Sequence, residues 1–280
     1  MNIYKYLLTI LSMYVIKYVV LIYLGLPNLS ADRRSFTVSF QKETNGPVSA
    51  ISNSWIELSE KMPQAKEFTM CHWLKIRFHN LDIAACLWSY CTIENVGETM
   101  KCLQVCLHAI KKSANRNLRI EGEIPLQTYR QTQRVTKPLK SYRHRTWTHL
   151  CWTFSAITGR SVFYHDGQYL GMDELNITKD DWAIKGSNVT YDSAFIFGQE
   201  PDILRGGFDK HQAYFGDLSQ FQIWDYTLDY SDVLDIARCK KWPKGNIVTW
   251  DQSSFIVNYD CLHPRAHFTS YYFKSIFFKF

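Results

Sequence analysis

From residue 36 onward the chain runs in short stretches of alternating apolar and polar residues, each closed by turn residues. Side chains repeat every two positions in a strand, so this alternation predicts half-buried strands. Residues 36–40 and 68–78 follow it with bulky apolar members. Residues 87–92 and 99–107 do the same on either side of a turn at Asn95-Val96-Gly97. Residues 147–154 are rich in Thr and aromatics, and residues 195–198 and 216–224 give two further strands. In residues 161–169 the Asp166-Gly167 pair sits between extended flanks, a strong hairpin signal. One segment breaks the pattern. Residues 231–238 predict a helix, with Ser231 as the cap and Val233, Leu234 and Ala237 on its buried face. Short strands at this spacing predict an all-β sandwich of two antiparallel sheets with one short helix.

Aromatic residues make up 15% of the chain, which strengthens the sheet assignment because large rings suit pleated surfaces. The formal net charge of +6 is dispersed, with no block of five like charges, so nucleic acid is not an expected partner. Residues 1–26 begin with Lys5 and continue as an apolar run, the pattern of a signal peptide. The alternative is a membrane anchor over residues 3–26, with the charge of Lys17 at its centre. Either reading exports the chain. Eight cysteines then imply disulfides. Sequons at Asn176 and Asn188 fit glycosylation of an exported protein, and a third lies at Asn28. Residues 36–262 are expected to form one domain, and residues 263–280 an aromatic and basic tail.

Several motifs occur in a telling order. His149-Leu150-Cys151-Trp152-Thr153 resembles the pentraxin signature, and Phe68-Thr69-Met70-Cys71 resembles that family's strand with the partner cysteine. Tyr164-His165-Asp166-Gly167 resembles its hairpin. Residues 198–217 resemble its calcium loop, Ile223-Trp224-Asp225 the strand after that loop, and residues 246–250 its final strand. The resemblance spans residues of about 36–262 and is closest in style to the neuronal, or long, pentraxins. It implies a lectin-like jelly roll.

The segment FGQEPDILRGGFDKHQAYFGD, residues 197–217, gathers oxygen donors around two glycines. Calcium takes six to eight oxygens. Glu200 and Asp202, two apart in extended chain, face the same way, and Pro201 between them offers its carbonyl. Gly206 and Gly207 turn the chain, so that Asp209 and Gln212 approach from the far side. The resemblance makes Glu200, Pro201, Asp202, Asp209 and Gln212 ligands of Ca2+, with Glu200 and Asp202 shared between two ions. It also expects an Asp-Asn pair from an earlier hairpin, where this chain has Val96-Gly97. A shift of the turn offers Glu94 and Asn95 instead, and Asn95 is taken as a further ligand. An exposed calcium ion attracts phosphate, carboxylate, sulfate or sugar hydroxyls. The resemblance implies anionic, phosphate-bearing or carbohydrate ligands on cell surfaces or debris, and a homo-oligomer, with five copies in a ring.

The resemblance also implies the disulfides Cys71–Cys151 and Cys239–Cys261. Cys86, Cys91, Cys102 and Cys106 remain around one hairpin. Opposite residues of an antiparallel hairpin share a constant index sum. Cys91 with Cys102 gives 91 + 102 = 193, and Cys86 with Cys106 gives 86 + 106 = 192, so nested bridges with one bulge are expected. A zinc site of Cys102, Cys106 and His108 is the alternative.

Catalysis is not expected. The lectin-like roll also hosts glycosidases that need two carboxyls about 5 Å apart. Here Arg205 stands where the second glutamate of such a motif belongs. The remaining alternative is an extracellular adhesion or assembly module with structural or absent calcium.

Overall fold

The computed structural model describes residues 36–41, 54–77, 85–93, 100–109, 118–125, 132–139, 143–177, 192–251, 253 and 255–257. Asn28, Asn95, Asn188, Cys261, the 1–26 segment and the 263–280 tail lie outside the described residues. Strands in chain order are β1 (Thr37–Phe40), β2 (Ile56–Leu58), β3 (Glu67–Ile76), β4 (Ala85–Ile93) and β5 (Lys101–Ala109). There follow β6 (Leu118–Pro125), β7 (Thr132–Leu139), β8 (Trp147–Ser155), β9 (Arg160–His165), β10 (Gln168–Glu174) and β11 (Asp192–Phe197). After β12 (Gly216–Trp224) comes the helix α1 (Tyr230–Ala237), then β13 (Val248–Thr249) and β14 (Phe255–Val257).

Two seven-stranded antiparallel sheets result. One runs β1-β12-β3-β8-β9-β10 with β13 beside β12, and the other runs β14-β2-β11-β4-β5-β6-β7. The alternation explains the core between them. Phe68, Met70, Leu74 and Ile76 of β3 meet Leu103, Val105 and Leu107 of β5 in one buried cluster with Trp88, Trp152, Phe197 and Phe221. Gly122 of β6 is required by this closeness, since a Cβ there would lie 2.8 Å from Phe163 Cζ and 2.9 Å from Trp152 Cζ2. The Asp166-Gly167 turn has φ of 49° and 74°, both left-handed, as a tight two-residue hairpin needs.

The helix differs from its sequence reading. Asp229, not Ser231, is the cap: its carboxylate accepts from the Asp232 amide at 2.9 Å and from Ser231 Oγ at 2.8 Å. A carboxylate at that end also suits the helix dipole. The fully buried residues are Val233 and Ile236, with Leu234 and Ala237 only partly buried. They pack with Tyr164, Trp224 and the Cys71–Cys151 pair on the outer face of the first sheet. Four strands, β2, β6, β7 and β14, were not anticipated, and β14 rather than the 246–250 stretch is the last strand of the described residues. On one side the two sheets are tied at their edges, where inward-pointing Lys137 of β7 meets Asp173 of β10 at 2.8 Å.

Candidate metal centre

The 199–213 loop leaves β11 and returns against β4. Gly198 N–H donates to Leu87 O and Tyr214 N–H to Gly198 O, each at 2.9 Å, and Cys86 N–H donates to Gln212 O at 2.9 Å. Both ends of the loop are therefore pinned to Cys86 and Leu87. Gly198 has φ of 87°, and a Cβ there would strike the ring of Phe40, so only glycine admits this close entry.

Within the loop, Ile203 and Gly206 exchange main-chain bonds of 3.3 and 2.9 Å, forming a tight turn. Gly207 takes φ of 68° and so does Arg205, at 64°, a conformation that strains a side-chain-bearing residue. Arg205 is held there by four contacts. Its Nε donates to Glu57 at 2.7 Å, Nη1 to both oxygens of Asp192 at 3.1 Å, and Nη2 to Ser193 O at 2.7 Å. Downstream, Gln212 N–H donates to Asp209 O and His211 N–H to the Asp209 carboxylate, both at 2.9 Å. Asp209 and Gln212 thus belong to one turn.

Glu200 is half-buried at the loop's entry. Gln104 Nε2 donates to Glu200 Oε1 at 3.1 Å and to Glu123 Oε2 at 2.9 Å. Ser89 Oγ lies 3.3 Å from both Gln104 Oε1 and Gln199 O. Cys86 Sγ, oxidised to a disulfide, lies 3.9 Å from Glu200 Oε2. Burial holds the Glu200 carboxyl above its ordinary range; the bond from Gln104 opposes this, while Glu123 and Asp202 reinforce it. A desolvated carboxylate beside two others is only partly offset by the Arg134 charge, and the all-oxygen donor set fits a hard cation. The carboxyls of Glu200, Asp202 and Asp209 do not all come within 4.8 Å of one another. Pro201 is buried between Glu200 and Asp202.

Gln104, Glu123 and Arg205 are absent from the sequence reading of the site. Ser89, Gln104, Glu123 and Arg134 stand directly opposite one another across β4, β5, β6 and β7. This polar row leads from under the loop to the sheet edge. Glu123 Oε1 accepts from Arg134 Nε at 2.8 Å. One position along, Glu121 accepts from Thr136 at 3.2 Å, with His108 at 3.5 Å and Arg119 at 3.9 Å.

The hairpin disulfides are Cys86–Cys106 and Cys91–Cys102, with the register shift between Cys86 and Trp88. Cys71–Cys151 joins β3 to β8. The zinc alternative is corrected: Cys102 and Cys106 are both oxidised and His108 faces Glu121. Among the described residues, the one group of three close His, Cys, Asp or Glu ligand atoms is Cys71, His149 and Cys151. Its sulfurs are consumed by the disulfide. Cys239 is exposed and bonded to no described cysteine. Asn176 is exposed. No helix of the described residues is long and apolar enough to cross a membrane.

The model of the Pentaxin family matches residues 47–264, and the chain belongs to that family, the pentraxins. It is 24% identical over 198 residues to C-reactive protein 1.4 of Limulus polyphemus, covering 69% of this chain and 72% of that protein. It is 30% identical over 201 residues to human neuronal pentraxin-1, covering 71% of this chain and 40% of the relative. The chain thus spans about two fifths of the neuronal pentraxins it matches. Among solved structures, a heptameric SAP-like pentraxin from Limulus polyphemus superposes with a TM-score of 0.63 at 21% identity. That match covers 82% of this chain and 94% of the other, and it shows the same jelly-roll fold.

Proposed function

We propose that this chain is an exported, calcium-dependent binding protein whose 199–213 loop holds calcium through Glu200, Asp202, Asp209, Gln212 and the carbonyl of Pro201. The observation that carries this is Glu200: half-buried, raised in pKa by burial, and set beside Glu123 and Asp202. Bound calcium supplies an electropositive position with open sites for oxygen. The ligands are phosphate-bearing, anionic or carbohydrate groups on cell surfaces or debris, and Asn95 adds a donor to a first ion. Family membership supports a binding role rather than catalysis. The heptameric relative supports assembly of several copies, with a ring of five as the expected form. Cys239–Cys261 closes the chain after α1, and Asn176 and Asn188 carry glycans.

Calorimetric titration of the full chain with calcium tests this against the double variant Asp209→Ala, Gln212→Ala. Saturable binding at about 0.1–1 mM, lost in the variant, is expected for an extracellular site. A second reading is an adhesion or assembly module with structural or absent calcium. It is favoured by the separation of the Glu200, Asp202 and Asp209 carboxyls, which do not close on one another. Absence of binding at millimolar calcium selects it.

A further inference from the structure

The polar row that starts beneath the loop ends on an edge strand, and its charges are layered. Glu121 and Glu123 lie at the floor, with side chains 9% and 16% exposed. Arg119 and Arg134 stand over them, 45% and 64% exposed. His108, whose pKa is lowered chiefly by burial, lies between the two levels at 22%. Carboxylates and guanidiniums are equal in number here, yet the cations are what solvent meets. Arg134 meets Glu123 at 2.8 Å and Glu121 at 4.0 Å through Nε, and the two outer amino groups of its fork are further donors. The fork geometry matches a planar or tetrahedral oxyanion.

The position of Arg134 gives this meaning. It lies two strands from Gln104, and Gln104 touches Glu200. Strands are spaced by about 4.8 Å, so the guanidinium stands on the order of 10 Å from the loop's entry. Arg134 already acts electrostatically on Glu200. The two bridges Cys91–Cys102 and Cys86–Cys106 flank the row on the same face and fix β4 against β5. The strands at the loop end of the row are therefore cross-linked.

We infer that Arg134, supported by Arg119, forms a second anion subsite beside the loop, so that this chain selects ligands carrying two or more anionic groups over singly anionic or zwitterionic ones. This rests on the calcium reading for the first anion only. Glu123 is the internal competitor: it holds the fork in place and partly neutralises it, so an incoming anion shares Arg134 with it. Sulfate, phosphate and carboxylate all satisfy the geometry, and the chemistry selected is a multiply charged oxyanion at a spacing of roughly 5–10 Å.

The test uses the full chain and two probes, sucrose octasulfate and inorganic sulfate, titrated calorimetrically in millimolar calcium and again in chelator. Octasulfate binding about tenfold tighter than inorganic sulfate is expected for one added charge-assisted contact. Arg134→Gln should remove most of that margin, weakening octasulfate more than inorganic sulfate, and Arg134→Lys should restore part of it. Glu123→Gln should move the other way and tighten octasulfate, because it releases the guanidinium. Calcium affinity of each variant is read separately by titration without sulfate. Equal octasulfate affinity in the parent and Arg134→Gln overturns the subsite. So does equal weakening of both probes. If the parent binds no calcium, the calcium reading fails by itself, and the parent-to-Arg134→Gln difference in chelator still decides the subsite.

Discussion

Arg205 donates to Glu57 across 2.7 Å, and through that bond a loop residue with φ of 64° is tied to the buried strand β2. The left-handed backbone costs about 1 kcal/mol for a residue with a side chain. Charge-assisted bonds to Glu57 and Asp192 offset it. Arg205→Ala keeps the strain and loses the clamp, so it should destabilise the chain by about 1–3 kcal/mol in urea unfolding. Arg205→Gly removes both and should lose less. An alanine variant as stable as the parent would show that the clamp holds nothing in place.

Gln104 carries a second prediction. Its single amide nitrogen bonds Glu200 and Glu123, which orients the carboxylate proposed to meet the metal. Partners of this kind typically contribute about 10–100-fold to metal affinity. Gln104→Leu should therefore weaken calcium binding about tenfold or more in calorimetry. Unchanged affinity would remove Glu200 from the ligand set or show that it orients itself.

The two hairpin disulfides should separate in their effects. The bridges close sequence separations of 20 and 11 residues, and opening either one costs about 3 kcal/mol by chain entropy. Only Cys86 touches both arms of the loop, through Gln212 O at 2.9 Å and Glu200 Oε2 at 3.9 Å. Replacing Cys86 and Cys106 by serine should lower stability and calcium affinity together. The Cys91, Cys102 pair of serines should lower stability alone. Isotherms of the two variants that coincide would contradict this.

Acid should unfold the protein early because of His72. The ring lies in the core 5.5 Å from Phe221, and both its nitrogens are buried without a partner. Burial, with His149 nearby, lowers its pKa from 6.5 to about 3, and burial lowers His149 to about 4. Below 6.5 the unfolded chain takes up these protons and the folded chain does not. Stability is thus complete above pH 6.5 and falls as pH drops toward 3, by up to about 1.4 kcal/mol per unit for each ring. His72→Phe should flatten this acid limb, leaving the part due to His149. Urea midpoints at pH 5 and 7.5 measure it, and an equal fall in parent and variant would sink the assignment.

Much of the fold is legible in the order of residues because β3, β4, β5, β8 and β12 are bulky and largely alternating, with single register shifts in β4 and β12. Strand β6 is less so. Its outward members Arg119, Glu121 and Glu123 resemble a solvated stretch, and Gly122 looks like a breaker until Phe163 and Trp152 are seen pressing on it. Strand β7 contains Pro138, which an edge position tolerates. The helix cap moved from Ser231 to Asp229 because both residues can accept bonds, and only geometry decides between them. For the proposed site, Glu200 to Gln212 stand out in the sequence because one continuous loop carries them. Gln104, Glu123 and Arg134 are not, since their adjacency exists only through the register of three strands.

The Lys137–Asp173 pair has a consequence for how copies of this chain meet. An inward-pointing charge on an edge strand is a poor template for another chain. Here the charges of β7 and β10 satisfy each other across the gap between the sheets, at 2.8 Å. Pro138, exposed on β7, also withholds a main-chain donor. On that flank the strand edges are poorer templates for a neighbouring copy. Side-chain fit then counts for more than main-chain pairing in any side-by-side contact there, and the tendency of crowded domains to run on into fibres is lowered.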